Sequence, residues 1–208
     1  MNAVHTPVRE VDLTERTGRR GTTGWWLLTL AAGLLGIVGT IWQMVERLAY
    51  ESDPGREAFC EINAAVSCSS VYSHWQSSAL GLPNALIGLP VFAMLTSAAV
   101  AGLLGSRHSP RYLALMWGLA LFMTAFATWY MEQTAFVIGS LCVFCAASWL
   151  FIIVAGVGLT RVLEAERGLG AGAAGRRLSY LVDRDLDVVA WLVLVLSVTA
   201  MLVLKLPW

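Results

Sequence analysis

Five long apolar segments constrain this chain more than any other feature of its sequence. They cover about residues 24–45, 83–105, 112–131, 134–160 and 188–204, and none of them contains Asp, Glu, Lys or Arg. A helix needs about 20 apolar residues to cross roughly 30 Å of membrane hydrocarbon. The pattern therefore predicts an all-α, polytopic membrane protein with five transmembrane helices.

Composition supports a membrane protein and excludes several classes of function. Charged residues make up 13% of the 208 residues, whereas globular proteins carry about 25%. The formal net charge is zero, so there is no electrostatic case for binding nucleic acid or an acidic substrate. The first apolar segment is longer than a signal-peptide core and lacks a small-residue cleavage site, which predicts a retained anchor.

The polar segments divide the chain into four predicted regions. Residues 1–23 are polar and of mixed charge, which predicts a short disordered tail. Residues 24–160 contain four spans and form the main predicted domain. Residues 161–187 are rich in Gly and Arg and predict a flexible linker, and residues 188–208 hold the fifth helix.

The loop at residues 46–82 is the one sizeable polar segment between spans. Within it, Val71, Trp75 and Leu80 recur at roughly helical spacing among serines. This pattern predicts a short amphipathic helix that lies on the membrane surface.

Basic residues predict the orientation of the spans. With the N-terminus in the cytoplasm, eleven Lys and Arg residues fall on the cytoplasmic side, and only Arg47, Arg56 and Lys205 fall outside. Such an excess marks the cytoplasmic face. We therefore expect a protein of the bacterial cytoplasmic membrane, with the loop and the C-terminus outside. The outer side is oxidising, so disulfides persist there.

Four cysteines form two pairs in different surroundings. Cys60 and Cys68 lie in the outer loop, and Cys142 and Cys145 form a Cys-x-x-Cys near the start of the fourth predicted span. Cys142 follows Gln133 by about nine residues, which predicts a depth of roughly 13 Å. Thiols one turn apart at a helix start form an exchangeable disulfide, and the helix N-terminus favours the thiolate. Sequence alone does not choose among the three possible pairings.

Several readings of these cysteines are open. Cysteines in a span are often small buried hydrophobes, and four thiolates also suit zinc, although half of this set lies at membrane depth. Haem is disfavoured because His5, His74 and His108 all lie outside the predicted spans. Thiol–disulfide exchange fits best: the loop pair takes electrons from a soluble dithiol and passes them to the buried pair. A lipid-soluble acceptor such as a quinone, held in an apolar pocket, completes this hypothesis.

An ordered set of motifs resembles the vitamin K epoxide reductase family. It comprises Cys60-x7-Cys68-Ser-Ser-Val-Tyr72, Trp75, Asn84-Ala-Leu-Ile-Gly88 and Cys142-x-x-Cys145, and the resemblance covers about residues 34–160. It implies a four-helix bundle around a quinone site, to which this chain adds a fifth helix. It also implies that Cys145 contacts the quinone, that Cys142 exchanges with the loop, that Cys68 bridges to Cys142, and that Cys60 completes the loop pair.

The same resemblance implies three quinone-binding residues. Asn84 matches an asparagine that hydrogen-bonds a quinone oxygen, although a helix cap is the alternative. Tyr72 matches an aromatic ring beside the ligand, although a tyrosine that anchors the protein at the membrane interface is the alternative. Trp149 replaces a tyrosine of animal members, and an indole donates a hydrogen bond but does not relay a proton. This replacement argues against epoxide reduction and favours a plain quinone, either menaquinone or ubiquinone.

The predicted function is that of a thiol:quinone oxidoreductase that supports disulfide bond formation. We expect no fused thioredoxin-like domain, and the resemblance then implies a separate exported partner of the DsbA-like, thioredoxin-fold kind. We expect neither nucleic acid nor metal as a partner. One alternative is a quinone or vitamin K epoxide reductase whose quinol is the product. Another is a non-enzymatic membrane scaffold or small transporter with structural disulfides.

Overall fold

The computed structural model describes residues 8–53, 55, 58–166 and 168–208, with side chains described from residue 21 onward. These residues form seven α-helices, a 3-10 helix at Trp75–Ser78 and a π-helical segment at Thr134–Ile138, and they contain no β-strand. The α-helices are α1 (Val8–Ser52), α2 (Cys68–Tyr72), α3 (Asn84–Leu103), α4 (Pro110–Gln133), α5 (Val143–Ala165), α6 (Ala173–Asp183) and α7 (Leu186–Lys205).

Five of these helices are long and apolar enough to cross a membrane, which confirms the predicted fold class. The candidate spans are Gly21–Ser52, Asn84–Leu103, Pro110–Ile138, Val143–Ala165 and Leu186–Lys205. Neighbouring helices in a membrane gain no hydrophobic driving force, because lipid tails are as apolar as leucine. The bundle must therefore be held together by close packing and by polar contacts between helices.

Helix α1 begins earlier than the sequence pattern predicted. The N-terminal segment expected to be a disordered tail is helical from Val8, and its first seven residues lie outside the described part of the chain. No proline occurs between Val8 and the apolar part of α1. Extending a helix that has already formed requires no new nucleus, so the polar residues continue the helix that the span begins.

Small residues let α1 pack closely against α3 and α5. A Cβ atom at Gly36 of α1 would overlap the ring of Phe92 on α3, and one at Gly158 of α5 would overlap Thr29 of α1. Close approach at such residues is typical of helix pairs in membranes. Helix α1 therefore lies between α3 and α5 at short range.

The connection between α4 and α5 corrects the predicted start of the fourth span. Helix α4 runs on through the π-helical segment and ends at Gly139, whose φ of 76° is left-handed, a conformation that glycine adopts readily. Helix α5 begins only at Val143, with Cys142 as its N-cap residue. The helical path assumed between Gln133 and Cys142 was therefore wrong, because the apolar residues 134–138 belong to the end of the third span.

The segment at 161–187 contains more regular structure than the predicted linker. Helix α5 continues to Ala165, and α6 follows with Leu178 and Val182 buried four residues apart. That spacing places both side chains on one helix face, although Gly and Arg dominate the surrounding sequence. Arg56 and Arg167, two residues that entered the orientation prediction, lie outside the described residues.

An ion-pair network joins α5 to the start of α7. The Arg161 guanidinium donates to both carboxylate oxygens of Asp187 at 2.7 and 2.8 Å, and to Asp185 at 2.7 Å. The Arg161 and Asp187 side chains are only 12% and 5% exposed. The fifth helix is thus anchored to the fourth at this end, and Val198 and Leu202 pack in the same apolar cluster as the cysteines.

Candidate active site

The structure contains one disulfide and two free thiols among the four cysteines. Cys60 and Cys68 are joined, with their Cα atoms 5.7 Å apart. Cys142 and Cys145 are free and buried. The loop pair is therefore oxidised while the pair at the start of α5 is reduced.

Backbone pairing holds the cysteine loop against the connection between α4 and α5. The Leu141 N–H donates to the Ala65 carbonyl at 2.8 Å, and the Ser67 N–H donates to the Leu141 carbonyl at 3.2 Å. The Asn63 carboxamide oxygen accepts from the Ala65 and Val66 N–H groups, a turn that asparagine favours. As a result, Cys68, which follows Ser67, lies beside Cys142, which follows Leu141.

Two side chains fix the start of the short helix α2, where Cys68 lies. The Ser67 hydroxyl oxygen accepts from the Ser70 N–H at 3.1 Å, and the Glu61 carboxylate accepts from the Ser69 N–H at 2.8 Å. Burial raises the pKa of the Glu61 carboxyl, but hydrogen bonds from Ser69 and Ser67 outweigh it, so the pKa lies below its ordinary value. Glu61 therefore stays ionised and keeps the loop folded.

The two cysteine pairs meet at Cys68 and Cys142. Their sulfur atoms lie 3.2 Å apart in a buried position. Thiol–disulfide exchange proceeds by attack of a thiolate on a disulfide sulfur, and this distance brings the two atoms into contact. The two cysteines that meet are those to which the resemblance assigned the exchange, Cys68 and Cys142.

Cys145 lies among polar groups that the sequence analysis did not identify. The Gln43 side-chain amide donates to the Cys145 sulfur at 3.1 Å, and Tyr130 lies in the same buried cluster as Cys145. Gln43 is 8% exposed and Tyr130 is 5% exposed. Because a thiolate accepts stronger hydrogen bonds than a thiol, the Gln43 donor favours the reactive form of Cys145.

A mostly apolar cavity of about 70 Å³ opens beside Cys145. Helices α1, α3, α4 and α5 all contribute to its wall. The lining residues include Cys145, Asn84, Trp149, Gln43, Tyr130 and Ser148. Three predicted site residues, Cys145, Asn84 and Trp149, are thus brought together at one cavity.

The predicted ligand-binding residues differ in the groups they offer to this cavity. The Asn84 side-chain amide donates to the Gln76 carbonyl at 2.8 Å and does not cap α3, while its Oδ1 atom is buried with no partner among the described residues. The indole N–H of Trp149 donates to Thr128 at 3.0 Å, so this side chain contributes an apolar ring. Tyr72 does not line the cavity. It is buried near the cysteines, and its hydroxyl donates to the Gln43 carbonyl at 3.5 Å.

Three residues of the site were missed by the sequence analysis, for different reasons. Gln43 is a lone amide in an apolar run, and polar side chains in spans often mark functional sites. Tyr130 lies near the end of α4, where a tyrosine normally indicates the membrane interface. Ser148 lies three residues after Cys145, on the same helix face. The sequence carried a signal at Gln43 and at Ser148, but only the fold shows that both side chains line the cavity beside Cys145.

The chemistry of the lining residues suits a quinone, although a cavity of about 70 Å³ must widen to admit the ring. The cavity is largely apolar, as a quinone ring requires, and two atoms of lining residues, Asn84 Oδ1 and Ser148 Oγ, are buried with no partner in the described part of the chain. Within that part, no three His, Cys, Asp or Glu side chains are grouped so as to hold a metal ion.

The comparison with protein families agrees with this geometry. The model of the vitamin K epoxide reductase family matches residues 26–159, a range that contains all four cysteines and every residue that lines the cavity. Helix α7 lies outside the matched range. A search of curated protein sequences finds no match to the chain.

Proposed function

The chain belongs to the vitamin K epoxide reductase family, and we propose that it carries electrons from an exported dithiol protein to a membrane quinone. Family membership indicates an oxidoreductase that works with cysteines and a quinone. The proposal adds the direction of electron flow, the partner and the product, which is a disulfide in the exported partner. The resulting activity is that of a thiol:quinone oxidoreductase.

One observation carries the proposal: the cysteines form a continuous chain from the loop to the cavity. The disulfide between Cys60 and Cys68 lies next to Cys142, with 3.2 Å between the Cys68 and Cys142 sulfurs. Cys145, one helical turn after Cys142, lines the cavity. A protein with purely structural disulfides would not require two free thiols beside a disulfide and a cavity.

The relay balances in electrons at every step. A dithiol of the partner reduces the Cys60–Cys68 disulfide and becomes a disulfide itself. The Cys68 thiolate then attacks Cys142 within a Cys142–Cys145 disulfide, which forms a Cys68–Cys142 bond and releases Cys145 as a thiolate. Attack by Cys60 on Cys68 re-forms the loop disulfide and releases Cys142. In the structure the loop pair is oxidised and the helix pair is reduced, which is the state that these exchange steps produce.

Oxidation of the helix dithiol completes the cycle. Formation of the Cys142–Cys145 disulfide releases two electrons and two protons, which convert a bound quinone to a quinol. Gln43 acts at this stage, because its amide hydrogen-bonds the Cys145 sulfur. The apolar wall, including the Trp149 ring, excludes water from the reacting thiol.

The loop must open for a partner to reach it. Cys60 and Cys68 are 1% and 0% exposed, so no external thiolate reaches them in the described conformation. Phe59 and Ile62, on either side of Cys60, are 72% and 69% exposed. These apolar side chains provide a contact surface for a thioredoxin-fold protein of the DsbA-like kind, which we propose as the electron donor.

We place the loop on the outer side of a bacterial cytoplasmic membrane. The distribution of basic residues supports a cytoplasmic N-terminus, and the five spans then bring the C-terminus outside. The quinone is menaquinone or ubiquinone in this proposal, since a bacterial membrane supplies either.

A vitamin K-type epoxide reductase is the second candidate, and Tyr130 is the observation that favours it. The sequence argued against epoxide reduction because Trp149 replaces a phenol. The structure brings a different phenol, that of Tyr130, to the cavity that Cys145 also lines. Quantifying the products formed from vitamin K epoxide and from vitamin K quinone, each with the same dithiol donor, distinguishes the two candidates.

Quinone reduction by the purified protein tests the main proposal. The protein in detergent receives a reduced thioredoxin-fold donor or a small dithiol, with ubiquinone-1 as acceptor. We expect turnover by wild type and none by Cys145→Ala. Cys60→Ser should fail with the protein donor and retain activity with the small dithiol. Absence of quinone reduction by wild type with either donor would refute the proposed function.

A further inference from the structure

Several residues that line the cavity use their polar groups within the protein. Thr40 donates to the Gly36 carbonyl at 2.8 Å, Gln43 donates to Cys145, and Trp149 donates to Thr128. Two atoms of lining residues, Asn84 Oδ1 and Ser148 Oγ, are instead buried with no partner among the residues the structure describes. A buried polar atom without a partner requires an explanation, and a bound ligand is one.

Ser148 departs from the behaviour of the other buried hydroxyls of the spans. A hydroxyl inside a helix normally donates to the carbonyl four residues earlier. Five threonines in these helices do so: Thr29, Thr40, Thr124, Thr134 and Thr160. Ser148 makes no such bond to its own helix. The Thr96 hydroxyl also has no partner among the described residues, but Thr96 does not line the cavity.

Ser148 lies on the same face of α5 as the reacting thiol. It follows Cys145 by three residues, and side chains at that spacing are neighbours on one helix face. Both residues line the cavity. A ligand that fills the cavity is therefore bordered by both residues.

The two unpaired atoms have different hydrogen-bonding capacities. The Asn84 amide donates to Gln76, and its unpaired Oδ1 atom only accepts hydrogen bonds. It therefore suits the O–H group of a quinol. A serine hydroxyl both donates and accepts, so it suits the bare oxygen of an oxidised quinone as well.

We propose that Ser148 is a quinone-binding residue that donates a hydrogen bond to the ring oxygen nearest Cys145. The inference rests on the proposed function and adds to it the group that holds the oxidised substrate. The hydrogen bond orients the ring toward the thiol, and the same hydroxyl accepts from the product once that oxygen carries a proton.

Equilibrium binding of quinone tests this assignment without relying on turnover. The four cysteines are first oxidised so that no electrons transfer, and ubiquinone-1 is titrated while tryptophan fluorescence, including that of Trp149, is followed. We expect Ser148→Ala to weaken quinone binding about threefold to tenfold, the effect of one hydrogen bond. Ser148→Thr retains the hydroxyl and should restore binding. Thr124→Val, which removes a hydroxyl bonded only to its own helix and outside the cavity, should bind as wild type does.

Thermal unfolding separates a ligand-binding role from a structural one. Because the Ser148 hydroxyl has no partner in the described residues, Ser148→Ala should keep or raise the melting temperature. Unchanged quinone affinity in Ser148→Ala would overturn the assignment, whether or not the melting temperature falls. Failure of wild type to bind either ubiquinone-1 or menadione would overturn the proposed function itself.

Discussion

The chemistry of this protein depends on a few polar atoms in apolar surroundings. Cys145 has a hydrogen-bonding neighbour, Gln43, that comes from another helix. Hydrogen bonds to a charged group contribute more than those between neutral groups, because the charge strengthens them where water is absent. We therefore regard Gln43 as a residue that stabilises the Cys145 thiolate during quinone reduction.

Replacing Gln43 by leucine should slow the reaction without disturbing the fold. Leucine has a similar size and removes the donor, and a hydrogen bond to a charged group contributes about 1.5–3 kcal/mol. We expect the rate at saturating quinone to fall about tenfold to hundredfold. Thr29→Val, a buried change on the same helix and outside the cavity, serves as the control. An undiminished rate in Gln43→Leu would show that this amide is only structural.

Glu61 should make the stability of the cysteine loop depend on pH. The folded pKa lies below the ordinary value of 4.5 because of hydrogen bonds from Ser69 and Ser67, which outweigh the effect of burial. The carboxylate therefore stabilises the loop above pH 4.5, and this contribution is lost as the pH falls through the folded pKa. An opened loop exposes the disulfide between Cys60 and Cys68.

The rate of disulfide reduction by a phosphine, which acts in acid, measures this opening. We expect reduction of wild type to accelerate below pH 4.5, and Glu61→Gln to be reduced rapidly already at pH 7. Glu51→Gln is the control, because Glu51 is 51% exposed and pairs with Arg47 on the same helix, α1. Equal rates for wild type and Glu61→Gln at pH 7 would contradict this role.

Among the structural elements, the connection between α4 and α5 determines whether the two cysteine pairs meet. Gly139 ends the third span in a left-handed conformation, and two residues later Leu141 pairs with the loop. Sequence reasoning located the five spans because hydropathy is a local property. It misplaced this connection because residues 134–138 are as apolar as the span they follow.

Gly139→Ala should disturb this connection and little else. A side chain in the left-handed region costs roughly 1–2 kcal/mol, and relief of that strain moves Leu141 and Cys142 away from Cys68. We expect slower electron transfer from the loop, measured by quinone reduction with the protein donor, and near-normal rates with a small dithiol. Gly170→Ala is a matched control, because Gly170 also has a positive φ of 67° and a Cβ atom there meets open space. Equal loss with both donors would argue against this explanation.

For the molecule as a whole, the sequence indicated the candidate site residues more readily than it indicated the contacts between them. The cysteines and Asn84 were identified because their order along the chain is distinctive. Gln43, Tyr130 and Ser148 were not, because each acquires its importance from a neighbour on another helix or from an unpaired atom. The packing of Val198 and Leu202 from α7 against the cysteine cluster is likewise a property of the assembled bundle.

The relay between the two cysteine pairs is the central claim, and disulfide trapping tests it most directly. In a Cys60→Ser/Cys145→Ser variant, only Cys68 and Cys142 remain, and their sulfurs lie 3.2 Å apart in the wild-type structure. We predict that mild oxidation joins them nearly completely, as measured by mass spectrometry of the digested protein. The reciprocal variant, Cys68→Ser/Cys142→Ser, should form little disulfide between Cys60 and Cys145. Free thiols at Cys68 and Cys142, with a disulfide in the reciprocal variant instead, would contradict the proposed path.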